Sequence, residues 1–179
     1  MIVLKSPREI DVMDRSNRIV HEILQCLTKE VKPGTATLAL EQMAKELLSQ
    51  KGATPAFLGY NGFPACLCTS INEEVVHGIP SSRVLKDGDI LSMDFGALYN
   101  GYYGDAAVTV PIGNISEKAK KLIAVTQGAL RKAIDQARVG NRLSDISFAI
   151  QDVAERNGFS VIRDYVGHGI GRELHEDPQ

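Results

Sequence analysis

Apolar residues at positions 10, 13, 20, 24, 27 and 31 fall on one stripe of a helix. The tetrapeptide Ser6-Pro7-Arg8-Glu9 predicts where that helix starts. Ser6 can cap it, Pro7 suits the first turn, and Glu9 can reach back in a capping box. Pro33-Gly34 ends it. A second helix is expected from about Thr37 to Gly52, with Leu40, Met43, Ala44, Leu47 and Leu48 on its apolar side. Two short apolar runs, 66–71 and 74–79, read as strands. After a turn at Lys86-Asp87-Gly88-Asp89, strands 90–98 and 103–110 flank Asn100-Gly101, a strong hairpin signal. A third helix should open at Ser116 and a fourth at about Ser144, the latter ending at Asn157-Gly158. Residues 159–166 are expected to form a strand and 167–171, Gly-His-Gly-Ile-Gly, a loop.

The order helix, helix, strand occurs twice. Gly34 and Gly52 bracket the second helix as Gly140 and Gly158 bracket the fourth, at a constant offset of 106 residues. Under that offset Leu40 falls on Ile146, Ala44 on Ile150 and Leu47 on Val153. An internal duplication predicts two halves, about 1–113 and 114–179, in one catalytic domain. The second half lacks the counterpart of the 90–110 hairpin, so the sequence is expected to be C-terminally incomplete.

The hairpin carries the chemistry. With Asn100-Gly101 as a two-residue turn, Asp94 faces Ala107 and Asp105 faces Gly96. Side chains alternate along a strand. Leu91, Met93 and Phe95 therefore share an apolar face with Ala106, Val108 and Val110. Ser92, Asp94 and Gly96 share the other with Asp105, Ala107 and Thr109. The two aspartates are diagonal neighbours, with backbones about 7–8 Å apart. Two such carboxylates repel unless a cation lies between them, and small neighbours leave room for one. Two solvated aspartates on an exposed face are the alternative. His168, inside a Gly-rich loop whose backbone can bend toward a ligand, favours the metal, because imidazole is a common ligand. His77 and His175 also lie in short loop motifs, whereas His21 lies on a helix and reads as surface.

Bulk properties narrow the class. At 179 residues the chain suffices for one domain with a real core. A formal net charge of -2, without a Lys/Arg cluster, does not suit a nucleic-acid binder. No apolar run approaches the roughly 20 residues of a membrane span, and the opening is too short for a signal peptide. Three cysteines without CxxC spacing argue against a disulfide framework or zinc ribbon and for a reducing, cytoplasmic location. Cys66 and Cys68 are expected on one face of a strand, and Tyr102 and Tyr103 as ordinary sheet residues.

Three segments, SINEEVVHGIP, KDGDILSMDFGALYNGYYGDAAVTVPIG and GHGIGRELHEDPQ, together with the spacings between Asp94, Asp105 and His168, resemble the type I methionine aminopeptidases. The likeness runs along essentially the whole chain. It implies an α/β (α+β) pita-bread fold: two pseudo-symmetric halves around a curved antiparallel sheet, with helices outside. It also implies a dinuclear metallopeptidase that removes the initiator methionine from nascent polypeptide N-termini. Such an enzyme works in the cytoplasm, as a monomer, near the ribosome, without nucleic acid or membrane. Asp94 would bind one metal, Asp105 would bridge both, and His168 would bind the second; Co, Mn, Fe and Zn all suit such a site. His77 would stabilise charge on the scissile amide, and His175 would position substrate. Tyr60 and Cys68 align with the pocket for the methionine side chain. Leu174 stands where relatives often have phenylalanine, Asn61 where some have histidine, and Asn72 aligns with part of an alkali-ion site. Two further glutamates are implied beyond Gln179, so residues 1–179 alone are expected to be inactive unless Glu173 or Glu176 substitutes. An Xaa-Pro peptidase of the same fold and a binding module that has lost its metals are the competing readings.

Overall fold

The structure is a computed structural model that describes residues 1–179. Its elements are α1 (Pro7–Glu30), α2 (Thr37–Gln50), β1 (Thr54–Pro55), β2 (Leu67–Ile71), β3 (Ile90–Tyr99), β4 (Tyr102–Pro111), α3 (Glu117–Gln136) and α4 (Leu143–Arg156). Two compact units are distinguished: Met1–Asn114 with Gly167–Gln179, and Ile115–Val166.

In the first unit β3 is the central strand of an antiparallel sheet. β4 pairs along one edge of β3, and the other edge takes β2 at 91–95 and β1 at Ala97 and Leu98. Asn100 and Gly101 both have positive φ, 49° and 80°, as a type I′ turn requires. The register follows from that turn: Asp94 pairs with Ala107 and Asp105 with Gly96, as the spacing predicts.

Helix α1 begins with the expected capping box: Ser6 Oγ accepts from Glu9 N–H, and the Glu9 carboxylate accepts from Ser6 N–H. Its buried face is Ser16, Ile19, Val20, Ile23, Leu24 and Leu27, which pack with Leu40, Ala44 and Leu48 of α2 on the apolar side of the sheet. Leu91, Met93 and Phe95 are the strand side of that core. The predicted stripe is right from Val20 onward; Ile10 lies exposed, N-terminal to the covered turns. Helix α1 crosses β4 where Gly104 has no side chain, since a Cβ there would sit 2.7 Å from the Ser16 carbonyl carbon. Ser16 Oγ donates to Tyr102 O at this crossing, and Asp105 N–H donates to Asn17 Oδ1.

Residues 74–79, expected as a strand, instead form a loop folded back along β2. The Glu74 carboxylate takes the Ile71 N–H and pairs with Arg83, and His77 adopts a left-handed φ of 60°, so no ladder can run through the segment. Cys66 precedes β2, so strand alternation does not reach it. It packs in the core against Glu41, while Cys68 takes the opposite face.

In the second unit α3 and α4 pack together, with Ala129 and Ala133 buried. Ser116 caps α3 through the Ala119 N–H. Helix α4 has the same length as α2, 14 residues, at the offset of 106. Gly34, Gly52, Gly140 and Gly158 all have positive φ, so the two helices share their boundary geometry as well as their pattern. Residues 159–166 are irregular rather than a strand, because no neighbouring strand takes their backbone hydrogen bonds. No helix is long and apolar enough to cross a membrane.

Candidate active site

The polar face of the hairpin carries Asp94 and Asp105, half-buried and hydrogen-bonded to each other through their side chains. Cys68 stands directly across from Asp94 on β2 and so shares that face. Burial first, then the charge of Asp105, pushes the Asp94 carboxyl up to about 7. Burial also raises Asp105, opposed by its hydrogen bond with Asp94 and by the charges of His168 and His175. Burial, followed by the charges of Asp94 and Asp105, pushes the Cys68 thiol up to about 12, so Cys68 lines the site as a neutral thiol.

His168 comes to this pair from the 167–179 segment. Its Nε2 lies 3.7 Å from Asp105 Oδ2, and its Nδ1 lies 2.9 Å from Gly169 O. With Nδ1 hydrogen-bonded to the backbone, Nε2 is the nitrogen that faces the carboxylates, the orientation a metal-binding imidazole needs. The His175 ring lies 4.1 Å from the His168 ring, tilted to it by 51°, and Tyr60 Oη lies 2.7 Å from His175 Nδ1. His175 is lowered by burial first and then by His168, with a smaller contribution from His77. His77 is therefore within electrostatic reach of the same cluster. It is exposed on its loop, which is pressed onto β2: Thr69 N–H donates to Gly78 O, and Gly78 N–H donates to Ser70 Oγ.

The five polar residues singled out from sequence, with Tyr60 and Cys68, thus surround one side of the sheet. Leu174 is buried; Asn61 lies in a short 3₁₀ turn with φ of 48°; Asn72 bridges to Asp89 and the Ile90 backbone. The glycines flanking Ile170 have a different purpose from the expected sharp bend. Neither Gly169 nor Gly171 has positive φ. A Cβ on Gly169 would sit 2.6 Å from Asp177 O, and one on Gly171 would sit 2.6 Å from a Glu176 carboxylate oxygen. They are small so that the chain can fold tightly on itself.

Phe57 is a residue that sequence reasoning missed. It fills the space above Gly96, where a Cβ would lie 2.8 Å from its Cε1, and so forms an apolar wall next to Asp105. Only the glycine opposite a ligand-type aspartate hinted at it. Tyr102 is no ordinary sheet residue either: it is buried, donates to Glu9, and lies under the Arg172 guanidinium.

No three His, Cys, Asp or Glu side chains form a closed cage; the close approaches are pairwise, Asp94 with Asp105 and Asp105 with His168. The donor set nevertheless fits a divalent cation. Two half-buried carboxylates whose proton affinity burial raises, beside an imidazole nitrogen that faces them, are relieved by positive charge.

Comparison with known proteins agrees. The model of metallopeptidase family M24 matches residues 11–179. Methionine aminopeptidase 1 of Bacillus subtilis is 54% identical over 179 residues, covering 100% of this chain and 72% of that protein. Methionine aminopeptidase of Clostridium acetobutylicum is also 54% identical, over 180 residues, covering 100% of this chain and 72% of that protein. The crystal structure of methionine aminopeptidase from Thermotoga maritima superposes with a TM-score of 0.98 at 48% identity, covering 100% of this chain and 72% of that one. Prolidase from Pyrococcus furiosus shares the fold alone, with a TM-score of 0.87 at 23% identity, covering 98% of this chain and 51% of that one. These likenesses give the α+β pita-bread fold and a metallopeptidase dependent on divalent metal ions. The chain belongs to metallopeptidase family M24, in its methionine aminopeptidase branch.

Proposed function

We propose that this protein removes the initiator methionine from nascent polypeptide N-termini in the cytoplasm, using two divalent ions held in part by Asp94, Asp105 and His168. The observation that carries the reading is the convergence of two half-buried carboxylates and an oriented imidazole on the small-residue face of the β3–β4 hairpin. Asp94, Asp105 and His168 Nε2 would hold the ions, with Asp105, which lies close to both of the others, shared between them. Cobalt, manganese, iron and zinc all suit these donors. When bound, the ions supply Lewis-acid chemistry: they polarise the scissile carbonyl and lower the pKa of the attacking water.

The chain's own residues do the rest. His77, on a loop fixed by Gly78 against β2, donates to the carbonyl oxygen as negative charge develops there. His175, its ring oriented by Tyr60, positions the substrate backbone. The neutral thiol of Cys68 and the ring of Phe57 offer apolar surface beside the aspartates for an unbranched thioether side chain. Tyr60 adds to that wall.

The test is a comparison of Met-Ala-Ser with Ala-Pro peptides on the intact, metal-loaded protein. Methionine release from the first, abolished by chelator and restored by Mn²⁺ or Co²⁺, is expected. Release of the residue before proline, with Met-Ala-Ser untouched, overturns the reading in favour of an Xaa-Pro peptidase.

A further inference from the structure

We propose that Glu176 is a positioning residue: gripped by Lys5 from the start of the chain, its carboxylate sets the turn that holds His168 and His175 side by side. The inference rests on the site reading above. Glu176 adjoins His175 in sequence, yet its side chain turns away from the metal-type cluster. One oxygen accepts from the backbone N–H groups of Arg172 and Glu173, at 2.8 and 3.2 Å. The other pairs with Lys5 Nζ. The two side chains are only 16% and 14% exposed, so this is not a solvated surface pair.

The turn that Glu176 caps is the one between the two histidines. Its backbone closes the loop at the other end: Gly169 N–H donates to Glu176 O at 2.9 Å, and Glu176 N–H donates to Gly169 O at 2.8 Å. The side chain and main chain of one residue therefore tie the histidine-bearing stretches together, and Gly171 leaves the space that the carboxylate occupies. The assembly is then fastened to the hairpin. Tyr103 N–H donates to Gly171 O at 2.8 Å, two residues before Asp105. Arg172 lies 4.8 Å over the Tyr102 ring and 3.3 Å from Glu9, whose carboxylate also accepts from Tyr102 Oη at 2.7 Å. Lys5 and Glu9 stand on either side of the α1 N-cap. The start of α1 is thereby connected to the histidine-bearing segment, by Lys5 to Glu176 across 171 residues and by Glu9 to Arg172 across 163.

Both Glu176 oxygens are committed, so it is not a spare ligand for the metals. Removing the side chain leaves two turn amides without their acceptor and Lys5 without its charged partner. The turn then opens, and the spacing of 4.1 Å between the His168 and His175 rings is no longer held. Charged acceptors of several N–H groups are the strong case among hydrogen bonds, and partners that orient metal-binding histidines typically change affinity or activity by about 10–100-fold.

The experiment compares Glu176→Ala, Lys5→Met and Lys5→Arg in the intact protein, with Lys51→Met, which breaks the Lys51–Glu22 pair, as a control. Histidine Cε1–H signals are recorded by NMR without metal, and Mn²⁺ affinity is measured by titration. Expected for Glu176→Ala are shifted His168 and His175 signals with His21 unchanged, and Mn²⁺ binding weakened by about 10–100-fold. On Met-Ala-Ser, kcat should fall at least as far as metal affinity while KM moves less. Lys5→Met should shift the same signals less, Lys5→Arg should match the wild type, and Lys51→Met should move none of them. Unchanged His168 and His175 signals and wild-type Mn²⁺ affinity in folded Glu176→Ala, even with a lowered Tm, overturn the proposal. If Glu176→Ala does not fold, Lys5→Met decides by the same criterion. A wild-type protein inactive on Met-Ala-Ser refutes the functional reading alone, because the NMR and Mn²⁺ measurements still decide the role of Glu176.

Discussion

Asp94→Asn should make the metal-free protein more stable and the metal-loaded protein less so. The asparagine amide can donate to Asp105, and its oxygen can still accept from Phe95 N–H, so the hydrogen bonds survive while one charge disappears. In the wild type the Asp94 carboxyl sits at about 7 against an ordinary 3.8. The metal-free folded state therefore keeps a proton that the unfolded chain releases between those values. Its stability falls as pH rises from 3.8 to about 7, and the full cost is present above that. At about 1.4 kcal/mol per tenfold change in proton affinity, the difference bounds the cost at about 4 kcal/mol. Water reaches the pair, since the Asp105 side chain is 22% exposed. Solvent screening reduces the bound to about 2 kcal/mol. For a chain of this length that is a rise in Tm of roughly 4–8 °C in chelator at pH 8, with no gain near pH 3. Added Mn²⁺ should reverse the order, because ligand at about 100 times Kd stabilises the wild type by about 2.7 kcal/mol and the variant lacks a ligand. Differential scanning calorimetry in EDTA and in Mn²⁺, at pH 3 and pH 8, reads all four states. A variant less stable than the wild type in EDTA at pH 8 would refute the reasoning: the carboxylates would then be a net favourable pair rather than one awaiting a cation.

Two other substitutions separate chemistry from scaffolding. His77→Ala should lower kcat by about 10²–10³-fold with metal content unchanged, as read by steady-state kinetics and metal analysis; loss of metal would make His77 a ligand instead. Gly78→Ala should cost about 1–3 kcal/mol and lower kcat, because its Cβ would lie 2.7 Å from the Thr69 carbonyl carbon and 2.9 Å from Ser70 Cα, backbone that cannot give way; a wild-type Tm would show that the His77 loop is not pinned there.

Where chemistry is local, the amino-acid sequence by itself decides the outcome. Ser6, Pro7 and Glu9 start α1 because a capping box needs only four consecutive residues. Asn100-Gly101 fixes the hairpin because both positions must take positive φ, and strand alternation then places Asp94 and Asp105 on one face without reference to the rest of the molecule. The offset of 106 is legible for the same reason: helix boundaries are written in nearby glycines.

What depends on packing between distant segments is decided only in three dimensions. Residues 74–79 have the apolar content of a strand, but the Glu74 carboxylate and the approach of Gly78 to β2 turn them into the loop that carries His77. Residues 159–166 have strand composition and no strand beside them, and a strand exists only through its partner's hydrogen bonds. Tyr102 reads as an ordinary sheet residue until Glu9 and Arg172 meet on it. The proximity of His168 to Asp105, and of Lys5 to Glu176, follows from no spacing rule. Those contacts join segments 63 and 171 residues apart, and only the close packing of 167–179 on the hairpin and the α1 N-terminus brings them together.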